Sequence, residues 1–166
     1  MTYFNYKKIL IKFLIIFFIF TIDRLTKIYV ITLAEKSNLV DIYVSQYLNI
    51  YLVWNKGIAF GLFSFDQSLI YNFITFLIMV IIIVIFIMII RSRDINVYYL
   101  LFILGGSLGN LFDRIYYYAV PDFIDFHINN FHWFIFNVAD IFISLGVLCL
   151  IITEIFFNKN IKNENL

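Results

Sequence analysis

Long apolar runs alternate along the chain with short polar segments. Residues 68–90 contain LIYNFITFLIMVIIIVIFIMII without one charge. A helix that crosses a membrane takes about 20 mostly apolar residues, at about 1.5 Å of rise each. Residues 134–157 form a second run, interrupted by Asn137, Asp140 and Glu154. A third, 95–112, is shorter and rich in glycine at its far end; a fourth, 9–31, carries Asp23, Arg24 and Lys27 in its last part. The pattern predicts an α-helical membrane protein with four transmembrane helices, in a single domain over residues 1–166. Lys7, Lys8 and Lys12 ahead of the apolar stretch 13–22 look like the start of a cleaved signal peptide, but no small-residue cleavage site follows. A retained first span is expected.

Basic residues set the orientation. With both termini in the cytoplasm, the inner segments hold Lys7, Lys8, Lys12, Arg91, Arg93, Lys159 and Lys162. Asp23, Glu35, Asp41, Asp66, Asp113, Asp122, Asp125 and Asp140 then gather towards the outer side. Trp54 and Trp133 fall there too, near interfaces where aromatic belts occur. Two outer segments remain, 32–67 and 115–133. The first is long for a structureless connection. Its stretch from Leu39 to Val53 is rich in β-formers with partial alternation, so a small extracytoplasmic sheet is expected on the membrane surface.

Composition sharpens this picture. The chain is 63% apolar and 14% charged, against about 45–50% and about 25% in a soluble domain. Such a chain is not disordered. A net charge of +1 argues against nucleic acid as a partner. Cys149 is the single cysteine and makes no internal disulfide. His127 and His132 are too few for most zinc sites, so neither metal nor cofactor is expected.

Ionisable groups within a membrane are expensive, and each needs a reason. Asp23 and Lys27, spaced i,i+4, share a helix face as an interfacial ion pair or as part of a site. Asn55-Lys-Gly-Ile-Ala-Phe-Gly61 reads as a turn in which Gly57 and Gly61 open special backbone geometries, or as a plain loop. Gly105 and Gly109 form a small-xxx-small pattern for close helix packing. That leaves Asn110, Asp113 and Arg114 unexplained, with Asn110 and Arg114 on one face. Asp122 and Asp125 lie in an extended piece beside Pro121 and point opposite ways; for either alone, plain solvation is the simpler reading. Asn137 and Asp140, i,i+3, share a face where the last span opens. Asp140 is either a structural aspartate paired with Arg114 or Lys27, or a functional group.

No Ser–His or Cys–His arrangement and no phosphate loop is present. What remains is two acids, Asp122 and Asp140, at the outer membrane edge. Two close carboxylates share a proton, so one serves as base and the other as acid, and such a pair activates water for attack on an amide.

Five segments, in this order, then resemble one family: Asp23-Arg-Leu-Thr-Lys27, Asn55-Lys-Gly-Ile-Ala-Phe60, Gly105-Gly-Ser-Leu-Gly-Asn-Leu-Phe-Asp-Arg114, Val120-Pro-Asp-Phe-Ile-Asp-Phe126 and Phe136-Asn-Val-Ala-Asp140. The family is lipoprotein signal peptidase, or signal peptidase II, a bacterial inner-membrane aspartyl protease inhibited by globomycin. The resemblance implies four helices with a periplasmic sheet or cradle, and Asp122 and Asp140 as the catalytic pair. It implies that Asp23, Lys27, Asn55, Gly57, Asn110, Arg114 and Asn137 support or line the site. The implied substrate is a diacylglyceryl-modified prolipoprotein, cut just before its lipidated cysteine, with membrane lipid as the other partner and a monomeric enzyme. Pro121 stands where Val or Ile is more common, and Arg24 where Gln is common; the latter change is expected to be without consequence. The main competing class is a four-helix carrier or proton channel, with Asp23, Asp113 and Asp140 as a relay. A purely structural subunit would leave Asp122 and Asp140 without a reason.

Overall fold

The computed structural model describes residues 6–37, 39–57, 67–92, 94–129 and 131–156. Helix α1 spans Tyr6–Ser37, α2 Gln67–Arg91, α3 Asn96–Tyr116 and α4 Val138–Phe156. Strands β1 (Asp41–Ser45) and β2 (Leu48–Asn55) form a hairpin between α1 and α2, and β3 (Val120–Ile128) and β4 (Phe131–Phe136) form another between α3 and α4. The two hairpins join into one antiparallel sheet of order β1-β2-β3-β4.

Three boundaries differ clearly from the pattern-based expectation, the third helix running past residue 112 to Tyr116. The first helix runs past residue 31 to Ser37, because polar Glu35 and Lys36 are no barrier to helix formation. The last helix starts at Val138, not at residue 134; the residues ahead of it belong to β4. The sequence FHWFIF is aromatic and apolar on both faces, and apolarity alone does not separate such a strand from a helix. The outer segment 115–133 is accordingly a strand pair rather than a loop. Residues 58–66, which include Phe60, Gly61 and Asp66, lie outside the described residues, as do Arg93 and the tail with Lys159 and Lys162.

Helices α2 and α4 are long and apolar enough to cross a membrane. They are not core helices of a soluble protein, since only 17% and 11% of their apolar windows are buried. Phe76, Ile83 and Phe86 of α2 and Leu148 and Ile151 of α4 face outward, a surface that water does not favour. Helix α3 packs against each of the other three. Its glycines let it approach closely. A Cβ on Gly105 would lie 2.9 Å from Ile19 Cβ of α1, and one on Gly106 would lie 2.5 Å from the Ala139 carbonyl of α4. The small-xxx-small expectation is thus met on the α1 side, and Gly106 extends it to α4.

The sheet sits on one end of this bundle. Phe123 of β3 packs with Val30 of α1 and Val40, and Leu33, Ile50, Leu52 and Val138 close around them. This apolar seat fixes β3 against the ends of α1 and α4. Pro121 is tolerated because the β4 ladder begins only at Ile124, so β3 has a ladder partner on the β2 side alone at that point.

Candidate active site

Helix α4 opens with a reciprocal cap. Asn137 Oδ1 accepts the Asp140 backbone N–H at 3.2 Å, and Asp140 Oδ2 accepts the Asn137 N–H at 3.1 Å. This is a capping box with Asn and Asp in the two roles. The cap leaves the Asn137 amide group over, and its Nδ2 donates to Asp122 Oδ1 at 2.6 Å. One residue therefore ties the β3 carboxylate to the α4 carboxylate. Asn55, at the end of β2 and diagonally across from Asp122, donates Nδ2 to Asp122 Oδ2 at 2.8 Å. Asn110 of α3 donates Nδ2 to Asp140 Oδ1 at 2.8 Å. Among the described residues, each of the four carboxylate oxygens thus accepts one N–H, and each of these comes from an uncharged group.

The three amides have no freedom to turn round. Asn55 Oδ1 holds the Gly57 N–H at 2.6 Å, Asn137 Oδ1 holds the Asp140 N–H, and Asn110 Oδ1 accepts from the Lys27 ammonium at 2.9 Å. A backbone N–H or an ammonium can only donate, so each amide must turn its N–H towards a carboxylate. At Gly57, φ is +75°, and a Cβ would lie 3.0 Å from Arg114 Nη2. That turn suits glycine for two reasons, and it sets the Asn55 side chain.

Beneath the pair lies a charge cluster of two cations and two anions. Lys27 Nζ donates to Asp113 at 2.7 Å, to Asp23 at 3.0 Å and to Asn110, which uses all three of its protons. Arg24 pairs with Asp113, and with Asp23 at 3.0 Å. Asp23 Oδ1 also accepts the Ala139 N–H at 3.0 Å, which ties α1 to the start of α4. Asp23, Lys27 and Asp113 are fully buried. The cations neutralise this cluster, and among the described residues Asp122 and Asp140 have no direct ion pair.

Burial pushes the Asp122 carboxyl up to about 6, and the nearby Asp140 adds to the rise. The amide donors Asn137 and Asn55, and the more distant Lys27, pull it back only in part. An acid of this kind changes protonation close to neutral pH, where acid–base chemistry is needed. Asp140 also borders an open groove of about 430 Å³, lined by Phe134, Phe136, Ile141, Ser144 and Leu145.

Among the residues singled out in the sequence, Asp23, Lys27, Asn55, Asn110, Asn137, Asp122 and Asp140 form one connected network. Arg114 stands apart from the two carboxylates. It lies over the Tyr71 ring at 5.4 Å while its backbone carbonyl accepts the Tyr71 hydroxyl at 2.8 Å. Asp140 is paired with neither Arg114 nor Lys27; Asn110 stands between it and the ammonium. Two residues were underrated. Arg24, expected to be without consequence, supplies one of the cluster's two cations and also lies 4.8 Å from the Phe112 ring centroid. Asp113, like Asp23, pairs with both cations. Their signal was available, since a charge inside an apolar helix requires a partner. Asp125, read as solvated if taken alone, is buried against His132.

A family model described as signal peptidase (SPase) II matches residues 15–156. The chain belongs to the signal peptidase II family. A lipoprotein signal peptidase of Pelagibacter ubique (strain HTCC1062) is 54% identical over 160 residues, covering 96% of each chain. One from Anaplasma phagocytophilum (strain HZ) is 36% identical over 149 residues, covering 90% of this chain and 94% of its own. A bacterial membrane enzyme solved by the in meso method at 2.3 Å resolution matches with TM-score 0.68 at 28% identity, over 95% of this chain and 93% of that one. The signal peptidase II match includes every residue of the network, from Asp23 on α1 to Asp140 on α4.

Proposed function

We propose that this chain is an aspartyl endopeptidase that removes the signal peptide from diacylglyceryl-modified prolipoproteins, cutting just before the lipidated cysteine. The observation that carries the reading is the pair Asp122 and Asp140, joined through Asn137, supplied with uncharged donors among the described residues and set beside an apolar groove. In this reading the pair holds one proton. The ionised carboxylate takes a proton from water as its oxygen attacks the scissile carbonyl carbon. The protonated partner gives its proton to the carbonyl oxygen. The resulting diol collapses as one of its hydroxyls returns a proton to the carboxylate that had acted as acid, the C–N bond breaks, and the proton taken from water passes to the departing amine of the cysteine. No covalent enzyme intermediate forms, and Asp122 and Asp140 are the catalytic residues.

Asp23, Lys27, Asn110 and Asn137 act as positioning residues, and Asn55 with Gly57 holds Asp122 from the sheet side. Arg114 closes that side behind Gly57. All four helices cross the membrane with both termini in the cytoplasm, and the sheet lies at the outer face. The substrate's acyl chains then stay in lipid while its peptide bond reaches the interface. One copy of the chain supplies every residue named, in keeping with a monomer. A proton relay through Asp23 and Asp113 is disfavoured, because Lys27 and Arg24 hold both as ion pairs.

The test is cleavage of a purified prolipoprotein with and without its diacylglyceryl group, read by mass spectrometry. The expected result is a single cut before the modified cysteine and no cut in the unmodified precursor. Equal cleavage of both, or a cut elsewhere, would overturn the proposal.

A further inference from the structure

The two histidines face each other across the β3–β4 hairpin. His127 and His132 are directly paired in the register, with ring centroids 5.0 Å apart. Asp125 lies between them. Its carboxylate is 2.9 Å from His132 Nδ1 and 3.7 Å from His127 Nδ1. One ligand atom from each of the three residues falls within 4.8 Å of the others. Asp125 and His127 are more than nine-tenths buried. Among the described residues, His127 Nδ1 is buried with no hydrogen-bond partner, although it points into this cluster. An unpartnered buried nitrogen costs about 1–3 kcal/mol, so its retention here calls for a reason.

We propose that Asp125, His127 and His132 bind a divalent transition-metal ion of the zinc class. Two imidazoles and one carboxylate are donors that suit zinc, which takes nitrogen and oxygen at about 2.0–2.2 Å. Donor atoms around a four-coordinate ion at that radius are about 3.3–3.6 Å apart, so the present cluster, whose ligand atoms lie within 4.8 Å of one another, completes the site by closing by up to about 1.5 Å. The His132 side chain, 55% exposed and already in contact with Asp125 at 2.9 Å, supplies this closure by shifting inward. The fourth position is left to water. The ion bridges β3 and β4 only three residues from Asp122 and holds the hairpin, without entering the chemistry of Asp122 and Asp140. The pairing of the two histidines was not legible from their number, which by itself argued against a metal. It follows from the hairpin register, which sets positions 127 and 132 opposite each other.

The experiment uses the full chain in detergent, purified without a histidine tag, and titrates it with Zn²⁺ and with Co²⁺ as a spectroscopic probe. The native protein is expected to bind one ion per chain, with the visible absorption of four-coordinate cobalt and a raised melting temperature in zinc. His132→Ala and Asp125→Asn are each expected to weaken binding at least tenfold and to abolish the melting shift. His132 is exposed enough for its variant to fold. No binding by the native protein, or less than tenfold weakening in either variant, would overturn the proposal.

Discussion

Replacing Lys27 with Met keeps an unbranched apolar chain out to the ε position, with sulfur in place of one methylene, and removes the ammonium. Three contacts are lost, at 2.7 Å to Asp113, 3.0 Å to Asp23 and 2.9 Å to Asn110. Two buried carboxylates then face one guanidinium, and the cluster carries an uncompensated negative charge. Breaking a buried ion pair from one side costs about 3–5 kcal/mol, or roughly two to three and a half powers of ten in the folding equilibrium. A second change, Asp113→Asn, restores neutrality while the Arg24–Asp23 pair remains. The double variant should recover about 2 kcal/mol or more of that loss. Activity should not follow. Without the ammonium nothing holds Asn110 Oδ1, and the amide no longer has to point its N–H at Asp140. Turnover should stay down by about 10²-fold or more in both variants, the lower end of what positioned acid–base groups contribute. Stability is read from reversible unfolding in mixed micelles, and turnover from a gel-shift cleavage assay. A Lys27→Met protein within about 1 kcal/mol of native, or a double variant that gains nothing, would refute the reasoning.

Two other perturbations follow from the same geometry. In Gly109→Ala the new Cβ would lie 2.5 Å from Asp23 Oδ2; that carboxylate is fixed by Lys27, Arg24 and the Ala139 N–H, so we expect a loss of about 1–3 kcal/mol in the same unfolding assay, together with reduced turnover. Asn55→Ala removes a donor that favours ionised Asp122, so its carboxyl should hold its proton above the native value of about 6. If Asp122 is the acid of the pair, the alkaline limb of kcat/KM then moves to higher pH, by up to about one unit; a limb that stays or moves down would assign the proton to Asp140.

How much of this was readable without coordinates depends on the kind of signal. The uncharged run ahead of Arg91 and the i,i+4 pair Asp23–Lys27 are local patterns, and they translate directly into α2 and a buried contact. Asn137 followed by Asp140 is also local, and it marks the true start of α4 better than hydropathy does. Apolarity runs unbroken from Trp133 to Phe136 because β4 exposes aromatic residues such as Phe134 and Trp133, and so it hid a strand. The roles of Arg24, Asp113 and the histidine pair arise from contacts between distant segments. Arg24 meets Asp113 only because α1 packs on glycines of α3, and His127 meets His132 only through the hairpin register. Resemblance singled out the residues of the network, while the order of their hydrogen bonds, with Asn137 between both carboxylates, emerged from the fold.

The most direct test of the central claim compares cleavage of a diacylglyceryl-prolipoprotein by the native chain with Asp122→Asn, Asp140→Asn and the double variant, in lipid. If the two acids work as one unit, each single variant should lose about 10³-fold or more in turnover, and the double should be no worse than either. Unchanged unfolding profiles would show that the variants remain folded. A folded single variant that cuts within about tenfold of native, short of what even one positioned acid–base group contributes, would contradict the assignment of Asp122 and Asp140 as the catalytic pair.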